Sequence, residues 1–249
     1  MFYKDSQNIY RVRAFDGFDW LVHGFGTRWS NSFGSCRNLA TLHQVHSDIV
    51  VAGGGRSGCL GDGDALLENT PGSLVAVKTA DCIPLLMVDP VHRAVAAVHA
   101  GWRGTASHIA ARAIREMTER FDTRPQDLHV AIGPGIGKCC YEVGPEVASK
   151  FAEYDPELCD STQPVHLDLG DINRRQVAGC GVHEGQIHLA GICTMCDPDF
   201  HSFRRDKERA GRMLSVVGIA LTRKNNKGAR LARALGSDVV EFSSGRVCQ

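Results

Sequence analysis

The chain has 249 residues, of which 43% are hydrophobic and 22% are charged, so it is long enough to form one sizeable hydrophobic core. Its 28 Lys and Arg residues balance 28 Asp and Glu residues, and a formal net charge of zero argues against nucleic acid or an anionic membrane as partner. The charged N-terminal segment MFYKDSQNIYRVRAF and the lack of an apolar run near the ~18 residues of a membrane span predict a soluble, cytoplasmic protein.

Strand-like runs and a helical pattern alternate along the middle of the chain. The segment LVAVKTADCIPLLMVDP predicts two strands around Asp81 and Cys82, and AVAAVHAGWRG is apolar at both parities, as in a strand covered on both faces. A helix capped by Thr105 or Ser107 is predicted through IAARAIREMTERF, and LHVAIGPGIG predicts a further strand that ends in a glycine-rich turn. This order predicts an α/β fold in which a single domain has a mixed sheet with flanking helices.

Three side chains at the edges of these runs are suited to a metal ion. They are His46 in LHQVHSD, Cys82 in TADCIP and His99 in AVAAVHAGWRG. Two imidazoles and one thiolate leave the fourth position of a tetrahedral zinc open, which is typical of a catalytic site. His43 competes with His46, but the following IVVAGG suggests a strand, in which residues three apart face opposite sides. Because the three residues are far apart in sequence, the fold has to assemble the site.

The predicted strand places His99 at its carboxyl end, just before a turn and a helix N-terminus. Ligands bind at this edge of α/β sheets because free backbone amides and the positive end of the helix dipole face it. Arg103 lies in the same turn and could hold an anionic group such as phosphate beside the metal. The alternative for Arg103 is a surface arginine paired with a carboxylate.

The remaining cysteines give weaker evidence for a functional site than Cys82 does. Without a secretion signal, most of the ten cysteines are expected to be thiols. Cys193 and Cys196 have the CxxC spacing of zinc knuckles and redox motifs, but no second CxxC completes a four-thiolate site. Cys139 and Cys140 are adjacent, so we expect one buried and one partly exposed residue and not two ligands of one ion.

Several longer motifs resemble the YfiH or laccase-domain family, once described as multicopper polyphenol oxidases and now associated with purine nucleoside phosphorylase activity. HGFGTRW is similar to the opening motif of that family, and the resemblance extends from about His23 to Ile219. The other motifs, in chain order, are QVHSD, DALLENTPGSLVAVKTADCIPLLMVDP, VHAGWRG, IGPGIGKCCYEVG and FHSFRRDKERAGRMLSVVGI.

The resemblance implies a single α/β domain of the cysteine-hydrolase-like type, with zinc bound by His46, Cys82 and His99. It also implies phosphorolysis of adenosine, inosine and methylthioadenosine, with some adenosine deaminase activity. The chain departs from the family in having no helical segment between Asn38 and the histidine motif, which bears on substrate preference. We assign residues 1–222 to the catalytic domain and residues 223–249 to a basic, flexible tail.

Phosphorolysis requires phosphate aligned with the anomeric carbon and a proton donor for the departing purine. Cys82, Arg103 and Asp81 are the candidate catalytic residues. For deamination, the HxE…PCxxC signature that supplies the general acid of zinc nucleoside deaminases is absent, so Asp81, Glu142 or Asp206 would have to take that role. Arginine side chains can hold the phosphate through paired N–H donors. The candidates for this role are Arg28, Arg103, Arg204 and Arg205.

Two other chemistries use the same residues. Copper could replace zinc, because the Irving–Williams order favours Cu²⁺ for such ligands, and the alternative function is then a copper-dependent polyphenol oxidase. Five methionines and no HxH pair make a multicopper site a poor match to this sequence. A cysteine hydrolase would instead use Cys82 as nucleophile, with His99 or His46 as base. We expect purine nucleosides and phosphate as partners, and neither nucleic acid nor a membrane.

Overall fold

Two mixed β-sheets lie face to face, and helices cover the outer face of one of them. The computed structural model describes residues 1–30, 36–158 and 162–221. The strands are β1 (Phe2–Lys4), β2 (Tyr10–Val12), β3 (Leu21–Phe25), β4 (Leu39–His43), β5 (Val50–Ala52), β6 (Gly58–Asp62), β7 (Ala65–Glu68), β8 (Leu74–Thr79), β9 (Ile83–Asp89), β10 (Ala94–Ala100), β11 (His129–Ile132), β12 (Glu142–Val143), β13 (Val165–His166), β14 (Ile187–Leu189) and β15 (Met213–Ile219). The helices are α1 (Trp102–Ala106), α2 (Ile109–Phe121), α3 (Pro145–Ala148), α4 (Leu169–Gly179) and α5 (Phe203–Asp206). Short 3-10 helices cover Arg13–Phe15, Pro125–Asp127, Ser149–Phe151, Pro156–Leu158, Glu184–Gln186 and Lys207–Arg209.

Each large sheet contains both parallel and antiparallel pairs. The first sheet has the strand order β1-β2-β3-β15-β8-β4-β6, and the second has the order β14-β11-β9-β10-β7-β5. Strand β4 is parallel to β8, and β5 is parallel to β7, whereas β9 is antiparallel to β10. The predicted α/β fold with a mixed sheet is confirmed, although the strands divide between two sheets. The cysteine-hydrolase-like classification stays a prediction.

The central strands of the second sheet are buried on both faces, as their apolar sequence predicts. Every residue of β9 and β10 is buried. Leu85 and Val98 point to the side of the helices, while Leu86 and Val95 point to the first sheet. Because neighbouring residues of a strand face opposite sides, a continuous apolar run supplies two hydrophobic layers. Strand β10 holds His99, and the buried start of β9 directly follows Cys82.

Helix α2 packs against the second sheet through one apolar face. Ile109, Ala113 and Met117 recur at helical spacing and are buried, as the sequence pattern predicts. The predicted cap is wrong: α2 begins after His108, which has a left-handed backbone and makes no capping bond through its side chain. Thr105 lies buried inside the short preceding helix α1, and Ser107 follows that helix. The turn between strand and helix is therefore itself helical.

The C-terminal part of the chain is described as far as residue 221. The predicted basic tail, residues 223–249, lies outside the described residues, and the domain boundary at residue 222 stays a prediction. Within the described ranges, no helix combines the length and the apolar character needed to cross a membrane.

Candidate metal centre and its cavity

The three predicted metal ligands come together at one point of the fold. One ligand atom each from His46, Cys82 and His99 lies within 4.8 Å of the others. The Cys82 Sγ atom is 3.9 Å from His46 Nε2, and the rings of His46 and His99 meet edge to face with centroids 4.9 Å apart. The predicted convergence is thus present in the structure, and the set of two nitrogens and one sulfur can hold a metal ion.

Each of the three ligands comes from a different kind of local structure. His99 lies in β10 next to its carboxyl end, paired in register with Pro84 of β9. Cys82 precedes β9 directly, in the turn after β8. His46 lies in the loop between β4 and β5 with a positive φ of 58°, which rotates its side chain away from the direction a strand would give. His43 ends β4, is exposed, and binds Asp62 instead (Nδ1–Oδ1 2.9 Å).

A buried carboxylate that the sequence prediction missed organises this group. His99 Nδ1 donates a hydrogen bond to Asp64 Oδ1 at 2.8 Å, which leaves Nε2 of the ring for a metal. Asp64 also accepts bonds from the backbone nitrogens of His46 (3.1 Å) and Ser47 (2.6 Å) and from Ser47 Oγ (2.7 Å). One fully buried side chain thereby fixes the ring of one ligand and the loop of another. Its DxD context with Asp62 in GDGDALL is a weak sequence signal.

A glycine makes room for the ligands. A side chain on Gly101 would place its Cβ 3.0 Å from Cys82 Sγ and 3.1 Å from a ring carbon of His46. The backbone of Gly101 is extended, with a φ of −73°, so conformation alone does not require glycine here. The residue is small because the side chains of Cys82 and His46 occupy the space beside it.

The electrostatics of Cys82 and His99 favour their charged forms. Burial raises the pKa of Cys82, but contacts with the two imidazoles outweigh burial and lower it to about 6. Burial lowers the pKa of His99, yet the Asp64 carboxylate and the Cys82 thiol raise it to about 9. Despite burial, hydrogen bonds from His99 and Ser47 lower the pKa of Asp64 to about 2. A metal must displace the proton from His99, so binding releases a proton.

Asp81 holds the neighbouring chain segments in place. Its Oδ1 accepts a bond from Thr194 Oγ1 (2.7 Å), and its Oδ2 accepts bonds from Ser202 Oγ (3.1 Å) and the backbone nitrogen of Arg204 (2.6 Å). The residue is buried and has an unusual positive φ of 91°. Asp81 therefore connects the turn before α5 to the cysteine ligand that follows it in sequence.

The ligands lie in the wall of an open cavity of about 790 Å³. Three basic side chains and two aromatic side chains share this wall, so the cavity offers both a place for an anion and a place for a flat apolar group. Phe203 is 42% exposed, a high value for a large apolar side chain, whereas Tyr141 is buried. The basic residues are Lys78, Arg204 and Arg212.

Of the four arginines predicted to bind phosphate, Arg204 lines the cavity. Arg205, its neighbour in α5, donates instead to the backbone oxygens of Thr194, Met195 and Phe200 and pairs with Asp206. The other two lie outside the cavity wall: Arg28 donates to Pro198 O, and exposed Arg103 stacks on Trp102. The roles of these residues stay predictions.

Two of the three acids considered for proton transfer lie outside the cavity wall. Glu142 is exposed in β12 and offers its backbone oxygen to Arg204. Asp206 pairs with Arg205, and Asp81 alone of the three lines the cavity. The sequence prediction missed Tyr141, Lys78 and Arg212. Lys78 could have been predicted from sequence, because it lies near the end of the strand that precedes Asp81 and Cys82.

Comparison with known proteins identifies the family of the chain. A family model described as multi-copper polyphenol oxidoreductase laccase matches residues 26–220. A purine nucleoside phosphorylase of Deinococcus radiodurans is 40% identical over 184 residues, which are 73% of this chain and 70% of that protein. Adenosine deaminase RL5, from an unknown prokaryotic organism, is 36% identical over 161 residues, which are 62% of this chain and 61% of that protein.

Solved structures match over more of the chain. The crystal structure of the hypothetical protein YfiH of Bacillus licheniformis superposes with a TM-score of 0.76 at 26% identity, covering 87% of this chain and 98% of that one. The predicted resemblance is confirmed, and so is the expectation of an enzyme. By its sequence match and its fold, this chain belongs to the YfiH-type family described as multi-copper polyphenol oxidoreductase laccase.

Proposed function

We propose that this chain is a zinc-dependent purine nucleoside phosphorylase. It would convert adenosine, inosine and S-methyl-5'-thioadenosine with phosphate into the free base and the corresponding ribose 1-phosphate. The observation that carries the proposal is the placement of His46, Cys82 and His99 in the wall of a cavity that also has cationic and aromatic side chains. The relatives named purine nucleoside phosphorylase support the same substrate class.

The donor set fits zinc. His46, Cys82 and His99 supply two nitrogens and one sulfur, and Asp64 orients one imidazole in the way that a carboxylate does behind a zinc-bound histidine. Zinc with one open position polarises a bound oxygen and lowers the pKa of bound water to about 7. Copper accepts the same ligands, so metal content has to be measured and not assumed.

The chain supplies cations for phosphate. Arg204, Lys78 and Arg212 line one cavity with the metal ligands, and their positive charges favour a phosphate dianion in a partly desolvated site. Arg204 is the best placed of the predicted arginines, because Asp81 binds its backbone nitrogen and thereby links its position to the ligand Cys82. Arg28, Arg103 and Arg205 are not part of the cavity wall, so they would have to reach a bound phosphate from outside it.

The two aromatic side chains of the cavity suit a purine: one could stack on the base, and the other could donate the proton that the departing base needs. Phe203 offers an exposed face for stacking at the cavity. In phosphorolysis a phosphate oxygen bonds to C1′, the bond from C1′ to the purine nitrogen breaks, and the base leaves with the electron pair and takes up a proton. Burial raises the pKa of Tyr141 to about 12, so its phenol is protonated at neutral pH. We assign Tyr141 as the proton donor to the base.

Deamination of adenosine is the second candidate function. The open ligand set is suited to an attacking water, and the similarity to adenosine deaminase RL5 favours the same chemistry. Asp81 is the carboxylate of the cavity wall that could serve this reaction. A thiol hydrolase based on Cys82 and a copper oxidase acting on phenols are the alternatives that the test has to separate.

The test is turnover by purified protein of measured metal content. Adenosine is incubated with and without phosphate, and adenine, inosine and ribose 1-phosphate are followed. Adenine that forms only with phosphate supports phosphorolysis, and inosine without phosphate supports deamination. If zinc-loaded protein turns over no purine nucleoside, the proposal fails, and oxidation of a phenol by copper-loaded protein would then favour the oxidase.

A matched pair of cysteine variants links turnover to the site. We expect Cys82→Ala to lose both the cavity metal and activity. Cys180→Ala changes a half-buried thiol at the end of α4, outside the wall of this cavity, and should keep both. Activity without metal in Cys82→Ala would contradict the metal-dependent reaction, and full metal content would show that Cys82 is not a ligand.

A further inference from the structure

Four cysteines that the cavity does not use converge at a second place in the fold. The sulfur atoms of Cys139, Cys140, Cys193 and Cys196 all lie within 4.8 Å of one another. Cys196 Sγ is 3.3 Å from Cys140 Sγ and 3.7 Å from Cys139 Sγ. A tetrahedral zinc with Zn–S bonds of about 2.3 Å needs sulfurs about 3.8 Å apart. The cluster therefore has the dimensions of a four-thiolate zinc site before any metal is added.

The convergence of the adjacent pair corrects the expectation from sequence. In a strand, Cys139 and Cys140 would face opposite sides. The chain instead makes a tight turn, in which the backbone nitrogens of Cys140 and Tyr141 both donate to Gly137 O, at 2.9 and 3.0 Å. The turn brings neighbouring side chains to one side. The missing second CxxC motif is replaced by a CC pair.

Backbone contacts hold the two cysteine pairs together. Gly135 and Cys193 form a parallel bridge, and the backbone nitrogen of Thr194 donates to Gly135 O at 3.0 Å. The amide of Gly137 donates to Cys193 Sγ at 3.2 Å, a contact that favours a metal-bound thiolate. A side chain on Gly137 would meet Cys193 Cβ at 3.2 Å and Cys139 Sγ at 3.4 Å. Glycine at position 137 therefore leaves room for the side chains of Cys139 and Cys193.

The chemistry of the four residues points to a closed structural site. None of the four is disulfide-bonded, so four sulfur donors are available. Cys139 and Cys196 are exposed, which gives an ion access from solvent. Four thiolates fill the tetrahedron and leave no position for water or substrate, in contrast to the three ligands in the cavity.

We propose that Cys139, Cys140, Cys193 and Cys196 bind one Zn²⁺ as a four-thiolate site that fastens the turn after β11 to the segment before α5. The fastened segment reaches the cavity. Thr194, between the two later cysteines, donates to Asp81, which directly precedes the cavity ligand Cys82. The second zinc would stabilise the wall of the cavity without touching substrate.

The experiment isolates this site by removing the other one. In the full chain, the His46→Ala/His99→Ala variant abolishes the cavity ligand set and leaves all four cysteines in place. We expect it to retain one zinc per chain, with an X-ray absorption spectrum that shows a shell of sulfur alone at about 2.3 Å. Absence of zinc, or nitrogen and oxygen in its shell, would overturn the proposal. Disulfides among these cysteines in protein purified without oxygen, seen by intact mass, would overturn it as well.

A second pair of variants gives the reciprocal result. Cys193→Ser/Cys196→Ser should lose one zinc per chain relative to the native protein, while Cys180→Ser, a cysteine outside the cluster, should lose none. An unchanged zinc content in the double variant contradicts the proposal. If that variant does not fold, the absorption spectrum of His46→Ala/His99→Ala decides alone. Neither readout depends on nucleoside turnover, so failure of this proposal and failure of the proposed function are distinguishable.

Discussion

The buried side chain of Asp64 positions two of the three candidate metal ligands. It binds the ring of His99 and the backbone of the His46 loop, so it sets both the tautomer of one ligand and the position of another. A carboxylate with no solvent exposure persists because every neighbour on it is a hydrogen-bond donor. The candidate metal site thus depends on a residue that is not one of its three candidate ligands.

We predict that Asp64→Asn weakens zinc binding at the cavity by about 10- to 100-fold, the usual effect of losing such an outer partner. The amide cannot accept from His99 and from the loop as a carboxylate does. Competition with a chelator measures the affinity. Asp62→Asn is the matched control, because Asp62 is exposed and binds His43 instead. Equal zinc affinities in the two variants would show that Asp64 does not support metal binding at the cavity.

Tyr141→Phe tests the proton donor. We expect kcat for phosphorolysis to fall by about 100-fold, the lower end of what positioned proton transfer contributes, with KM for phosphate little changed. The loss should be smaller for a nucleoside with a better leaving base, which a structural role would not produce. Tyr10→Phe changes a half-buried tyrosine in β2, outside the cavity wall, and should leave kcat unchanged. An unaltered kcat in Tyr141→Phe would contradict the assignment.

Helix α5 presents its two arginines to different surroundings. The helix has four residues, and Ser202 caps it by accepting from the backbone nitrogen of Arg205 at 3.2 Å. Arg204 faces the cavity, and Arg205 donates to backbone oxygens of the preceding segment. One short helix therefore carries a residue that could contact phosphate and a residue that stabilises the fold. The roles of the two adjacent arginines are separable by mutation.

The separate roles predict opposite phenotypes. Arg204→Gln should raise KM for phosphate with little change in the free energy of unfolding. Arg205→Gln should lower the free energy of unfolding by about 1–3 kcal/mol, because the part-buried backbone oxygens of Thr194, Met195 and Phe200 lose their donor. Steady-state kinetics and denaturant unfolding distinguish the two. Identical behaviour of the two variants would contradict this division.

The junction of β10 and α1 is the second sensitive element. Gly101→Ala is expected to reduce metal affinity without unfolding the chain, because the added Cβ would press on Cys82 and His46 while its backbone angles suit alanine. Metal content after dialysis and circular dichroism measure the two effects. Gly185→Ala has nothing within 4 Å of the added Cβ and serves as the matched control. Full metal retention in Gly101→Ala would contradict this prediction, because the side chains of Cys82 and His46 would then have moved away from the added Cβ.

The buried histidine His23 couples the stability of the fold to pH. His23 lies inside the packed sheets, where Nε2 accepts a bond from the backbone nitrogen of Val12 at 3.0 Å. Burial, helped by the nearby charge of Arg11, lowers the pKa of His23 to about 3. The folded chain therefore keeps His23 neutral under conditions in which the unfolded chain takes up a proton at about pH 6.5.

The sign of the effect follows from this difference. The contribution of His23 to stability is complete above about pH 6.5 and is lost as the pH falls toward 3, with a slope of at most about 1.4 kcal/mol per pH unit. His23→Gln keeps an acceptor for Val12 and should flatten the fall in unfolding free energy between pH 6.5 and 4. Exposed His166→Gln should leave the slope as in the native chain. Parallel curves for native and His23→Gln protein would refute the prediction.

Much of the fold followed from local pattern. The apolar runs of β9 and β10 and the helical spacing of Ile109, Ala113 and Met117 identify elements whose burial is fixed by their own periodicity. The division into two sheets did not follow, because β15 inserts between β3 and β8 through long-range pairing that local pattern does not encode. The same limit applies to the predicted helix cap, since α1 intervenes before α2.

The residue types of the candidate metal centre are readable from sequence alone, because two imidazoles and a thiolate at strand edges have a donor chemistry that needs no coordinates. The partners that these side chains meet depend on the folded chain. Asp64 orients the ligands, Arg204 faces the cavity while Arg205 does not, and a CC pair reaches a CxxC pair to form a second cluster. The physical reason is that side-chain direction depends on turn geometry and on contacts between segments distant in sequence, whereas donor chemistry belongs to each residue alone.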